Sequence, residues 1–180
     1  VEFNPANASY HPVVAPGRNP SVPSLISTYD ETRWIYCTDC HSSNTGAQGG
    51  GNGANGPHGS TYKPILEQRM EFMDGFSENG AIYALCYKCH SRESILADAS
   101  FSGHSLHITQ VKTSCTTCHD PHGVPDSTHL INFNLDYVAP GSSGELKWED
   151  TGEFAGKCYL KCHNVDHAPL VYPAALKGTE

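Results

Sequence analysis

All eight cysteines of this 180-residue chain fall in pairs, and a histidine follows each pair at once. The four stretches are Cys37-Thr-Asp-Cys40-His41, Cys86-Tyr-Lys-Cys89-His90, Cys115-Thr-Thr-Cys118-His119 and Cys158-Tyr-Leu-Lys-Cys162-His163. Two thiols separated by two residues, then an imidazole, form the attachment pattern of c-type haem. The thiols add across the two vinyl groups at one porphyrin edge and form thioethers. The spacing holds the sulfurs about one helical turn apart, and the next residue turns its imidazole towards the iron. The fourth stretch has one intervening residue too many but keeps its Cys-His dipeptide, so it reads as the same site with a wider loop. Four covalent haems are expected, with Cys37, Cys40, Cys86, Cys89, Cys115, Cys118, Cys158 and Cys162 as thioether donors. The expected proximal iron ligands are His41, His90, His119 and His163.

Other uses of cysteine fit less well. Zinc sites close with a second cysteine pair or a spaced histidine, not with four adjacent Cys-His dipeptides. A disulfide framework, for which eight cysteines allow 105 pairings, needs no histidine after each second cysteine. A thioredoxin-like redox pair needs one Cys-x-x-Cys in a βαβ setting, not four.

Seven of the eleven histidines remain after the proximal four: His11, His58, His104, His107, His122, His129 and His167. Iron held by two strong axial ligands transfers electrons, whereas an open sixth position binds small molecules. Four irons need four distal ligands, so bis-histidine ligation throughout is the economical expectation. An internal repeat ranks the candidates: CTDCH, GPHG and CYKCH in the first half answer CTTCH, DPHG and CYLKCH in the second. His122 and His58 therefore lead. His122, three residues after His119, cannot share an iron with it and is expected to reach a neighbouring haem. His104 and His107, one helical turn apart, come next, then His11, His167 and finally His129, for which a hydrogen-bonding task is expected. Met70 and Met73 line up with Leu66 and read as packing.

The elements that must position these residues are sparse. Apolar residues make up 38% of the chain and Gly plus Pro total 29, so the side-chain core should be thin. Residues 1–33 carry Pro5, Pro12, Pro16, Pro20 and Pro23 and read as an extended N-terminal arm. Residues 34–98 form a first dihaem unit with a glycine-rich loop at 44–60, and residues 99–180 a second, within one domain. Short helices are expected over Pro64–Met73 and Ala81–His90, and a small β-hairpin from 130–138 and 145–149. The fold class expected is a coil-rich multihaem cytochrome with a few short α-helices and one small β-hairpin, its core formed by the four haems.

The net charge of −8 argues against nucleic acid, where basic patches supply affinity. No stretch approaches the ~20 apolar residues of a membrane span. The first residues lack a secretory signal, so an exported protein is read here in mature form. Asn7-Ala8-Ser9 matches a glycosylation acceptor.

Taken over residues 34–167, stretches such as SCTTCHDPHG and ALCYKCH resemble the multihaem c-type cytochromes with doubled C-x-x-C-H motifs. The resemblance implies periplasmic or extracellular electron transfer in a prokaryote, along closely stacked bis-histidine haems, with other redox proteins or extracellular acceptors as partners. Some members polymerise into extracellular filaments in which a histidine of one subunit ligates a haem in the next. By that likeness His11, on the arm, is expected to ligate in trans in a homopolymer. The expected function is a tetrahaem electron conduit and not an enzyme. A soluble periplasmic shuttle and, further off, a multihaem reductase with an open iron are the alternatives.

Overall fold

Three of the four Cys-His stretches nucleate their own turn of helix. In the computed structural model, which describes residues 2–173, α1 spans Cys37–Cys40 and α4 spans Cys115–Cys118. Between them, α2 (Ala84–Tyr87) leads into Cys89. In each stretch the histidine N–H donates to the carbonyl of the first cysteine: His41 to Cys37 at 2.7 Å, His90 to Cys86 at 3.0 Å and His119 to Cys115 at 2.9 Å. Caps fix where these turns begin. The Asp39 carboxylate accepts the Tyr36 N–H, and the Ser114 hydroxyl accepts the Thr116 N–H. A further short helix, α3 (Arg92–Leu96), is capped by Ser91, and a π-helical turn covers Leu106–Val111.

The strands are small. β1 (Ser9–Tyr10) pairs antiparallel with β2 (Gly123–Val124), so the N-terminal arm lies against the second half of the chain. Beyond β3 (Val138–Ala139) come β4 (Lys147–Gly152), β5 (Ala155–Cys162) and β6 (Val165–Tyr172). β5 is central, with β6 along one edge and β4 and β3 sharing the other. Cross-strand charges tie its outer face: Lys157 donates to Glu149 at 2.9 Å, and the Lys147 ammonium sits 4.4 Å above the Tyr159 ring. The whole is a coil-rich mixture of short helices and small sheets.

The apolar core is thin. Its main cluster joins Leu66, Met70, Ile82, Tyr83 and Ile108. Met73 stays exposed, so only Leu66 and Met70 of the expected stripe pack.

Two expected elements differ. Residues 64–73 are not helical: the N–H groups of Leu66, Glu67 and Glu71 donate to Tyr62, Cys40 and Ile82, not along a helix of their own, and Ile65 is left-handed at φ +63°. The hairpin of 130–138 with 145–149 is replaced by the sheet around β5. Residues 130–134 instead wrap α4, with Asn132 and Asn134 donating to Cys118 and Thr117. Residue 1 and residues 174–180 of the expected arm and second unit lie outside the described residues.

Candidate metal centre

The imidazoles meet two by two. Ring centres lie 6.1 Å apart for His41 and His122, 6.3 Å for His11 and His90, 6.5 Å for His104 and His119, and 6.5 Å for His107 and His167. An imidazole nitrogen sits ~2.0–2.1 Å from a first-row metal ion and its ring centre ~1.1 Å further back, so two rings facing one ion have centres ~6.3 Å apart. Rings in face-to-face contact would lie nearer. His41 and His122 are only 19° from parallel yet separated by 6.1 Å. The spacing fits an atom between the rings better than direct stacking.

Hydrogen bonds settle the tautomer of one ring in each pair. A backbone carbonyl can only accept, so Nδ1–H donates to Pro64 from His41 at 3.1 Å, to Pro121 from His11 at 2.5 Å, to His129 from His119 at 2.9 Å and to Gly103 from His107 at 2.7 Å. In all four, Nε2 is left as the basic nitrogen, the arrangement that orients a metal-binding histidine and raises its donor strength. Of their partners, His90 Nδ1 lies 2.9 Å from the Ser24 hydroxyl and His122 Nδ1 3.2 Å from the Glu2 carboxylate. His104 Nδ1 and His167 Nδ1 are buried with no partner. A buried ring nitrogen without a partner costs about 1–3 kcal/mol.

For His11, His90, His104, His119 and His167 burial favours the neutral ring, the form that binds metal. It lowers the pKa of His90 and of His104 to about 4, with like charge from neighbouring histidines adding to the effect. It also lowers those of His11, His119 and His167.

The thiols follow the same order. All eight cysteines are free. Cys40 is pushed up to about 11, first by burial and then by the nearby Cys89 and Cys86. The Cys86 and Cys115 side chains hydrogen-bond each other, which lowers Cys86 and raises Cys115. Burial pushes Cys118 up to about 12, with Cys158 and Cys162 adding. The thiols of successive stretches thus lie near enough to influence one another, first with second, second with third and third with fourth. The imidazole pairs are linked likewise: His11 is near His122 and His90, and Phe101 lies between His104 and His107, at 5.1 and 5.6 Å.

Of the expected ligands, His41, His90 and His119 each face a second imidazole. His122, His11, His104 and His107 are all in pairs, and His122 faces the first stretch's His41, not its neighbour His119. His58 does not join them; it lies exposed on the glycine-rich loop. His163 is exposed on a turn, its Nε2 2.8 Å from Asp74 Oδ2. His11 meets His90 of its own chain. His167, ranked low from sequence, is a full member of the fourth pair. The ring of His129 lies 2.7 Å from the Asn19 amide, and its carbonyl holds His119. Asn7 is buried, its side-chain amide donating to the Glu2 carbonyl, a poor position for a glycan.

For the first three stretches the residues present fit haem attachment: a helical turn carrying both thiols, a histidine at its end and a second imidazole opposite. Among the described residues no three His, Cys, Asp or Glu side chains gather tightly enough to hold an ion between them. No helix among the described residues is long and apolar enough to cross a membrane. The chain matches no protein-family model, no curated protein and no solved structure.

Proposed function

We propose that the chain is a tetrahaem c-type cytochrome that carries electrons between closely spaced bis-histidine irons. The observation that carries this reading is the set of four imidazole pairs at 6.1–6.5 Å, three of which begin at the histidine of a Cys-x-x-Cys-His turn. When bound, each haem would supply an iron that gains and loses one electron. The cysteines anchor the porphyrin edges by thioethers, and the paired imidazoles fill both axial positions. Carbonyl acceptors at Nδ1 hold one ring of each pair in place. An iron filled on both faces suits electron transfer and leaves no open position for a reductase. The contiguous order of the thiols supports a single chain of sites, not two separate units.

The mass of the reduced, denatured chain tests the reading. It should exceed the sequence mass by four porphyrins, and the pigment should stay with the protein in acidified organic solvent. A colourless chain, or one that releases its pigment, ends the case.

Assembly as a subunit of an extracellular conductive filament is the form that the family resemblance supports. One observation favours the soluble periplasmic shuttle instead: His11 faces His90 within its own chain, so the four pairs close without a neighbour. Sedimentation across a wide dilution range separates the two, a filament persisting as polymer and a shuttle remaining monomeric.

A further inference from the structure

The three helical Cys-His turns are gripped by one repeated clip, and the second turn varies it. At the first turn the Glu67 N–H donates to the Cys40 carbonyl at 2.9 Å, and the Pro64 carbonyl, three residues earlier, accepts the His41 Nδ1–H at 3.1 Å. At the third turn the Asn132 N–H donates to the Cys118 carbonyl at 2.9 Å, and the His129 carbonyl, again three residues earlier, accepts the His119 Nδ1–H at 2.9 Å. The residue after each accepting carbonyl, Ile65 or Leu130, is left-handed, at φ +63° and +58°. Leucine and isoleucine are strained there, so the bend that aims the carbonyl at the imidazole is held by the bonds around it.

At the second turn the Ile26 N–H makes the matching bond to the Cys89 carbonyl, also at 2.9 Å. The residue three earlier is Pro23, but its carbonyl accepts from the Ser94 hydroxyl at 3.1 Å. Neither Ser24 nor Leu25 is left-handed. The Ser24 hydroxyl takes the place of the carbonyl, 2.9 Å from His90 Nδ1. Ser24 is itself pinned, since its carbonyl accepts the Ser91 N–H at 2.5 Å and Leu25 bridges to His90. With Nε2 given to iron, Nδ1 carries the hydrogen and the serine oxygen accepts it. A carbonyl acceptor survives any side-chain substitution, whereas this acceptor is a side chain. An acceptor at Nδ1 makes the imidazole more electron-rich, stabilises ferric iron and lowers the potential.

We infer that Ser24 is a positioning residue for the second iron, its hydroxyl being the Nδ1 acceptor that orients His90 and sets that iron's potential. The inference rests on the tetrahaem reading and adds to it a residue of the N-terminal arm that tunes one site of the four.

Redox potentiometry of the holoprotein tests it, with carbon monoxide uptake alongside. Ser24→Ala should raise one of the four midpoints by on the order of 59 mV, the one-electron equivalent of a tenfold shift in the reduction equilibrium, and move the other three far less. Ser24→Thr, which keeps the hydroxyl, should keep the natural value. Both variants should stay six-coordinate and take up no carbon monoxide when reduced. Four unchanged midpoints in Ser24→Ala, an equal shift in Ser24→Thr, or a comparable movement of all four overturns the inference. Carbon monoxide uptake by Ser24→Ala overturns it too, because the hydroxyl would then secure the iron bond instead of tuning it. Four covalent porphyrins by mass leave the tetrahaem reading standing in each of those cases. A chain with no covalent porphyrin overturns both.

Discussion

The arm delivers two imidazoles at once, through a contact that only glycine permits. β1 ends at Tyr10 and β2 begins at Gly123, so His11 and His122 flank a two-residue ladder, and the His11 N–H donates to the His122 carbonyl at 3.2 Å. A Cβ on Gly123 would stand 2.0 Å from the Glu2 carbonyl oxygen and 3.0 Å from Tyr10 Cβ. Ordinary contact is ~3.5 Å, so the Glu2 backbone must retreat by about 1.5 Å. Its carboxylate is the group beside His122 Nδ1, so that support moves with it. Gly123→Ala should therefore cost about 1–3 kcal/mol of stability through overpacking, a fall of roughly 2–4 °C in midpoint per kcal/mol for a chain this size. It should also loosen the His41–His122 and His11–His90 pairs. The assays are thermal unfolding and, on the proposed tetrahaem reading, carbon monoxide uptake by the reduced holoprotein, where up to about half the haem should become reactive because two of four irons would lose a firm ligand. An unchanged midpoint together with no carbon monoxide uptake would refute the claim that this ladder positions both histidines.

Two further perturbations probe the frame around the sites. Glu67 is 1% exposed and is paired with Lys88, which also donates to the Asp39 carbonyl and so ties the first Cys-His turn to the second. Lys88→Met should strand that carboxylate and destabilise the protein by about 3–5 kcal/mol, read by denaturant unfolding, with Glu67→Gln in the same chain restoring much of the loss. Glu78 accepts two hydrogen bonds from Arg92, at 2.8 and 2.5 Å, and these hold its carboxyl below the usual carboxylate range. A depressed folded pKa contributes stability above the unfolded value and loses it as pH falls through the folded one. The midpoint of the natural protein should therefore drop more steeply than that of Glu78→Gln below about pH 4.3, and parallel curves would show that the pair contributes nothing.

What was legible in the sequence was whatever local chemistry dictates. Three Cys-x-x-Cys-His stretches close on themselves through one backbone bond, so their spacing alone announces the turn. The partner imidazoles were only partly legible, because each is brought in by a distant element. The internal repeat matched His58 with His122, but only His122 precedes a glycine that β1 can approach closely. The loop around His58 folds on itself instead, with the Ser43 N–H donating to Gly56 and Gly46 bridging to Gly53. Helical spacing over 64–73 misled for a related reason: Leu66 and Met70 are buried as their period suggests, yet the backbone there bonds to the first and second Cys-His regions.

The fourth stretch did carry a usable signal in its extra residue. Cysteines three apart share a face of a helix but point to opposite sides of a strand, whereas cysteines four apart share a face of either. The insertion in Cys158-Tyr-Leu-Lys-Cys162 is thus what lets both thiols face inward from β5, alternating with the outward Lys157, Tyr159 and Lys161. Once that stretch is extended, the following histidine falls in the turn between β5 and β6.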